Sequence, residues 1–326
     1  MSDELLRLDH LSIEYKVKDG YLSAVENASF SINKGEIFAV VGESGCGKST
    51  IAHSMMALLP KEHTKISGHI YFEGKDLTAC TRREMEQIRG KDIGMIFQNP
   101  LDSLNPVYTT GHQVQEAVML DKADKKEAWK KVIRLFEEVK MPDAKERADS
   151  YPHELSGGMR QRVMIAMMLS RTPKLLIADE PTTALDVTIE AQIIEIIKGL
   201  KKKYNTAVML ITHNFGLVAE AADKIAVMYA GEVVEVGDVF EIFDHPRHPY
   251  TELLMKALPR KTKKEGRLQT IDGSVPRIVN KKPECRFANR CPYAVEKCFN
   301  ETPKQIAVSK THKYRCFLTE DQAAEV

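Results

Sequence analysis

The sequence has no hydrophobic run long enough to cross a membrane. Its longest apolar stretches, residues 37–41, 163–169 and 207–211, fall far below the roughly 20 residues a spanning helix requires. It has almost no net charge, with 47 Lys and Arg against 46 Asp and Glu among 326 residues, so no overall positive field points to nucleic acid as the main partner. The local basic runs at 201–203 and 261–264 read as solvated faces. The opening Met1-Ser2-Asp3-Glu4-Leu5 lacks a basic stretch followed by an apolar one, which predicts no secretory signal and a cytoplasmic location. There is no long internal repeat and no low-complexity tract. With only six cysteines, none in a C-x2–4-C knuckle, thiols or metal ligands are expected before disulfides. The length admits one large domain, or a large one with a small appendage.

What is present changes character along the chain. Residues 5–35 alternate apolar and polar, as in Leu11-Ser12-Ile13-Glu14-Tyr15, and predict antiparallel strands. From Glu36 a continuous apolar run leads into a glycine-rich loop and then a helical pattern over 49–59, ended by Pro60. Strands over 174–178 and 207–212, with a helix over 187–204 between them and another after Asn214, imply a mostly parallel sheet covered by helices. Helical patterns at 124–139 and 157–170 make 100–170 a candidate helical subdomain. Short strands follow Gly231, then a helix near 250–258. Beyond Pro259 lysine and proline rise and periodicity weakens, which divides the chain into 1–258 and a C-terminal module over 259–326.

Gly42-Glu43-Ser44-Gly45-Cys46-Gly47-Lys48-Ser49-Thr50 satisfies the phosphate-loop pattern G-x-x-x-x-G-K-[ST] between a predicted strand and a predicted helix. In that setting the glycines free backbone N–H groups for phosphate oxygens, Lys48 reaches the β- and γ-phosphates of a nucleotide, and the Ser49 hydroxyl binds Mg2+. The apolar strand Leu175-Leu176-Ile177-Ala178 delivers two acids at its end. Asp179 suits the metal side, and Glu180 suits the polarisation of an attacking water. Alone, such a pair could be a helix cap or an exposed turn.

Leu155-Ser156-Gly157-Gly158-Met159-Arg160-Gln161, placed between the phosphate loop and the acidic strand, resembles the signature of ABC ATPases. The resemblance implies an α/β P-loop NTPase core with an antiparallel β subdomain, a helical signature subdomain and the small cysteine-rich module. It implies ATP as substrate and a head-to-tail dimer, in which Ser156, Gly157, Gly158 and Gln161 grip the γ-phosphate held by the other subunit. By the same resemblance Gln98 matches the glutamine loop that senses metal and water, Asp186 the loop crossing the dimer interface, and His213 the switch histidine. Tyr15 resembles the aromatic that stacks on adenine, with Tyr21 close by as the alternative. Glu180 and His213 are both present, so hydrolysis rather than binding alone is expected.

Within that family, Phe97-Gln98-Asn99-Pro100-Leu101-Asp102-Ser103-Leu104-Asn105-Pro106 and His248-Pro249-Tyr250-Thr251 are similar to the ATP-binding subunits of oligopeptide and dipeptide importers. This implies a second ATPase subunit, a paralogue in the favoured case, two membrane permeases, an external binding protein and a place at the cytoplasmic face of the membrane. Relatives of that subgroup also serve nickel, glutathione and oligosaccharide uptake. A soluble ABC clamp acting on nucleic acid, ribosomes or iron–sulfur assembly is the alternative of another class, opposed by the neutral charge and the single cassette. Cys285, Cys291, Cys298 and Cys316, separated by five, six and seventeen residues, cluster in the module. Similar importer subunits hold a [4Fe–4S] cluster here. Spacing alone leaves the cluster, a structural zinc and unligated thiols all open.

Overall fold

The structure, a computed structural model, describes residues 3–99, 103–183, 185–257, 271 and 273–318. In chain order its elements begin with β1 (Glu4–Val17), β2 (Gly20–Asn33), β3 (Ile37–Val41), α1 (Lys48–Met55), β4 (Thr64–Phe72), β5 (Lys75–Asp76), α2 (Arg82–Ile88) and β6 (Ile93–Ile96). They continue with α3 (Thr110–Met119), α4 (Lys125–Glu138), α5 (Ala144–Ala148), α6 (Gly157–Leu169), β7 (Leu175–Asp179), α7 (Val187–Tyr204), β8 (Ala207–Thr212), α8 (Phe215–Ala221) and β9 (Lys224–Tyr229). Last come β10 (Glu232–Asp238), α9 (Val239–Asp244), α10 (Pro249–Lys256), α11 (Glu296–Asn300), β11 (Gln305–Ala307) and β12 (Lys313–Arg315). No described helix is long and apolar enough to cross a membrane. The chain divides into two compact units.

One unit comprises Asn33–Ile37 and Cys80–Ile211. In it β6, β7 and β8 run parallel, with Ile93 beside Leu175 and Leu175 beside Ala207. All residues of β6, β7 and β8 are buried, which is why these strands read as continuous apolar runs. The expected helical region is there. Asp124 caps α4 by accepting from the Lys126 N–H, and Ala128, Val132, Leu135 and Phe136 form its buried stripe at helical spacing. The lysine run at 201–203 occupies the last turn of α7, where cations suit the negative end of the helix dipole, and Asn205 closes that helix at φ 53°.

The other unit comprises Ser2–Ile32, Phe38–Ala79 and Thr212–Val326. Here β1 pairs antiparallel with β4 across a register shift between Asp9 and Ser12. The strand β3 lies parallel to β9, β10 is antiparallel to β9 and to β12, and β11 is antiparallel to β12. The expectation of a helix reaching residue 59 is corrected: α1 stops at Met55. Ala57 takes φ 46°, and the Leu58 N–H turns back onto the His53 carbonyl at 2.9 Å, closing the helix five residues before the proline. Strands β4, β5, β6, β9, β11 and β12 and helix α2 have no counterpart among the expectations from sequence. The boundary placed at 258/259 lies outside the described residues. Phe287 packs against Tyr229 and Tyr250, ring centroids 5.0 and 5.4 Å away, so Phe287 shares the core of β9 and α10, with Cys285 and Cys291 packed against it.

Candidate functional site

Two backbone constraints shape the phosphate loop between β3 and α1. Gly42 and Gly47 have φ 151° and 102°, and a Cβ on either would lie 2.2 Å from the Met228 carbonyl oxygen or 2.3 Å from that of Ala24. Gly47 occupies the N-cap of α1 without a side-chain cap, and the first turn carries no acid, so the positive end of the helix dipole faces the loop without a carboxylate of its own turn. Lys48 is buried, and its Nζ donates to the Gly42 and Glu43 carbonyl oxygens at 2.8 and 3.0 Å, folding the ammonium over the loop. Ser44 and Gly45 are exposed, while Ser49 and Thr50 are half-buried in the first turn. Cys46 is fully buried, its Sγ 3.8 Å from Lys48 Nζ, and burial pushes the thiol above its ordinary range. His213 follows β8 and is exposed. On β1, Tyr15 is half-buried opposite Thr64; Tyr21 is more exposed, with Lys65 Nζ 5.9 Å from its ring centroid.

The loop rests on struts that motif matching missed. Tyr250 is fully buried, and its hydroxyl accepts the Glu43 N–H at 3.1 Å, so the His248-Pro249-Tyr250-Thr251 segment braces the loop from beneath. His248, buried and accepting the Tyr250 N–H at Nδ1, is pushed down to about 4 by loss of solvent and stays neutral. Arg290, directly before Cys291, donates Nη1 to both Glu43 carboxylate oxygens at 3.0 and 3.2 Å and to the Tyr229 hydroxyl at 3.3 Å. Arg286, directly after Cys285, donates to the Ala230 carbonyl at 2.5 Å and the Ser23 hydroxyl at 2.8 Å, with Glu232 Oε1 3.5 Å from its Nε. Next to Ala230, the Gly231 N–H donates to the Cys46 carbonyl at 2.9 Å. The sole sequence signal for either arginine was its place beside a cysteine.

In the other unit β7 ends at Asp179, 3% exposed, and the chain turns at Glu180 with φ 45°, a left-handed conformation that a glutamate adopts at a local cost of the kind found at functional sites. The Glu180 N–H donates to the Ile211 carbonyl at 2.9 Å. Its Oε2 accepts from Gln98 Nε2 at 3.0 Å and from Thr183 Oγ1 at 2.8 Å, which brings the glutamine-loop residue and the second acid together. Ser156 caps α6 through the Met159 N–H at 3.4 Å. Ser156 and Gly157 are exposed. Gly158 is buried where a Cβ would come within 2.6 Å of Ile189 Cγ2. Gln161 is 2% exposed and its Nε2 has no partner among the described atoms. Asp186 stands exposed at the N-cap of α7 without a side-chain bond.

Cys285, Cys291, Cys298 and Cys316 line one cavity of about 270 Å³ together with His248, Phe287 and Tyr293. The Cys285 N–H donates to the Cys298 carbonyl at 2.8 Å. Burial pushes Cys285 up to about 12 and Cys291 to about 11, and raises Cys316, so as free thiols these three stay protonated at neutral pH. Among the described residues no three His, Cys, Asp or Glu side chains converge tightly enough to hold a single metal ion.

Comparison with known proteins matches residues 25–183 to the model described as ABC transporter, and residues 234–298 to that described as oligopeptide/dipeptide transporter, C-terminal region. The dipeptide transport ATP-binding protein DppD of Bacillus subtilis is 46% identical over 99% of this chain and 97% of its own length. The oligopeptide transport ATP-binding protein AppD of the same organism is 47% identical over 98% of both chains, and that called OppD in Haemophilus influenzae is 44% identical over 98% of both. Among solved structures, the dimeric post-hydrolysis state of the ATP-binding cassette MJ0796, bound to ADP and phosphate, superposes with TM-score 0.65 at 26% identity, covering 72% of this chain and 99% of that one. The structure of cbiO1 from Clostridium perfringens gives TM-score 0.65 at 28% identity, covering 75% and 92%.

Proposed function

We infer, from the premise that this chain belongs to the ABC transporter ATPase family with the oligopeptide/dipeptide C-terminal region, how its residues couple ATP hydrolysis to peptide import. The chain is the ATP-binding and ATP-hydrolysing subunit of such an importer. One observation carries the assignment of the chemistry: Glu180, held by Gln98 and Thr183 in a left-handed turn at the end of β7, is an oriented carboxylate. It accepts the proton of the attacking water, and Gln98 orients it. Lys48 releases the Gly42 and Glu43 carbonyls and takes the β- and γ-phosphates, joined by the N–H groups that begin α1. Ser49, Gln98 and Asp179 are the residues that would hold magnesium, which when bound would supply charge neutralisation for the transferring phosphoryl group. His213 stands for the γ-phosphate and Tyr15 for the adenine face. Ser156 and Gly157, the exposed part of the signature, together with Gly158 and Gln161, serve the ATP of a second ATPase subunit in a head-to-tail pair, with Asp186 at the interface. The favoured partner is a paralogue. Two permeases and an external binding protein complete the assembly at the cytoplasmic face.

The four cysteines line one cavity, and the lack of a C-x2–4-C knuckle among them favours a [4Fe–4S] cluster over structural zinc, since clusters tolerate varied cysteine spacings. A bound cluster would supply folding energy to a module that is short of core, with Cys285, Cys291, Cys298 and Cys316 as thiolate ligands. One experiment tests both readings. Purified anaerobically from its native membranes, the chain should bring two membrane subunits and a second ATPase, and carry iron and sulfide in equal amounts. Recovery with ribosomes or DNA alone would overturn the transport reading, and stoichiometric zinc without iron would overturn the cluster.

A further inference from the structure

A second cavity among the described residues is lined by none of the residues assigned above. It has a volume of about 710 Å³ and is walled by β1, β2 and the β11–β12 arm. That size accommodates a nucleotide-sized ligand. In a chain whose net charge is only +1, its lining gathers Arg7, Lys224, Lys304, Lys310, Lys313 and Arg315 against a single carboxylate, Asp9, which Arg7 already neutralises at 2.8 Å. Lys304, Lys310 and Lys313 are exposed and form no ion pair with a described residue.

Strand geometry explains the clustering. On β12, Lys313 and Arg315 share one face while Tyr314 is buried on the other; on β2, Asn27, Ser29 and Ser31 face the cavity while Ala28 and Ile32 enter the core. Arg315 is the informative member. It is 7% exposed, its Nη2 donates to the Asn27 carbonyl at 2.7 Å, and its buried Nε has no partner. A buried guanidinium N–H without an acceptor is costly, and an anion supplies acceptors for donors of this kind. His10 adds a further donor-bearing ring, held by Asn27 Oδ1 at 2.6 Å.

We propose that this cavity is a second anion site, separate from the phosphate loop, which binds a ligand carrying two or more phosphate groups. Three unpaired ammonium groups spread over one concave wall match several phosphates better than one carboxylate. The source of the phosphates, a soluble polyphosphate or a diphosphorylated lipid headgroup, is separated by the test. Binding is measured on the full-length chain carrying Lys48→Ala, which disables the phosphate loop, with inorganic tripolyphosphate in one arm and cardiolipin-containing vesicles in the other. Combining Lys304→Ala, Lys310→Ala and Lys313→Ala should weaken whichever arm binds by roughly tenfold or more. All three side chains are exposed, so the fold should survive, which ATP binding by the same triple variant with Lys48 intact verifies. Loss in the tripolyphosphate arm assigns a soluble ligand, and loss in the vesicle arm assigns a lipid. Binding in neither arm, or binding that the triple variant leaves unchanged, overturns the proposal.

Discussion

Glu180→Gln should lower ATP turnover by the assembled transporter at least ~100-fold while ATP affinity stays within about twofold, since a positioned general base supplies that range of rate and little ground-state binding. The substitution keeps the shape of the side chain. A glutamine carbonyl can still accept from Thr183 Oγ1, now 2.8 Å from Oε2, and the left-handed turn at φ 45° carries the same Cβ. What disappears is the carboxylate proposed to take the proton. Single-turnover hydrolysis and nucleotide binding on the same preparation separate the two effects. A variant hydrolysing ATP as fast as the parent would remove Glu180 from the chemistry.

Arg286→Met should destabilise the unit that contains the phosphate loop by about 3–5 kcal/mol, the range expected when one partner of a buried ion pair is deleted. Arg286 and Glu232 are each about 5% exposed. The methionine fills the stem's volume and offers no donor, which takes the ion-pair partner from Glu232 and the donor from the Ala230 carbonyl, leaving Arg315 as the cation that acts on Glu232. Burial already raises the Glu232 pKa above its unfolded value, with Arg286 and Arg315 pulling it back down. Folded Glu232 therefore holds its proton more tightly than unfolded Glu232, so its contribution to stability improves as pH falls through the folded pKa. Deleting Arg286 enlarges that shift, so the deficit of the variant should shrink on acidification. Urea unfolding at two pH values checks the magnitude and the sign. A loss below about 1 kcal/mol, typical of exposed pairs, would mean that the arginine is not the strut described.

The parts of this molecule that were legible in its sequence are those whose chemistry fixes residue type and spacing at once. The phosphate loop needs glycine where a Cβ would strike the Met228 or Ala24 carbonyl, and it needs a lysine at the first helical position. Fully buried parallel strands must be continuously apolar, so β3, β7 and β8 declared themselves. The end of α1 did not, because Ala57 adopts φ 46° with nothing in its side chain to announce it. Neither did the bracing of the loop. Arg290 reaches Glu43 across 247 residues, and a single sequence carries no signal for such a partner. The cysteines show the intermediate case: their clustering predicts that they meet, and they line one cavity, yet spacing does not name what they hold. Gln161 belongs to the signature by its position, and that it is 2% exposed while Ser156 and Gly157 stand open is a difference the motif alone does not reveal.

In the proposed arrangement this chain carries half of each ATP site, with Lys48, Asp179, Glu180 and His213 serving its own nucleotide and the residues from Ser156 onward serving a neighbour's. ATP turnover per chain, measured for the purified chain alone and again after assembly with its second ATPase and membrane subunits, tests it most directly. The isolated chain should work at less than roughly a tenth of the assembled rate, because the groups proposed to stabilise the γ-phosphate from the other side would be missing. A dilute, demonstrably monomeric chain that hydrolyses ATP at the assembled rate would contradict it.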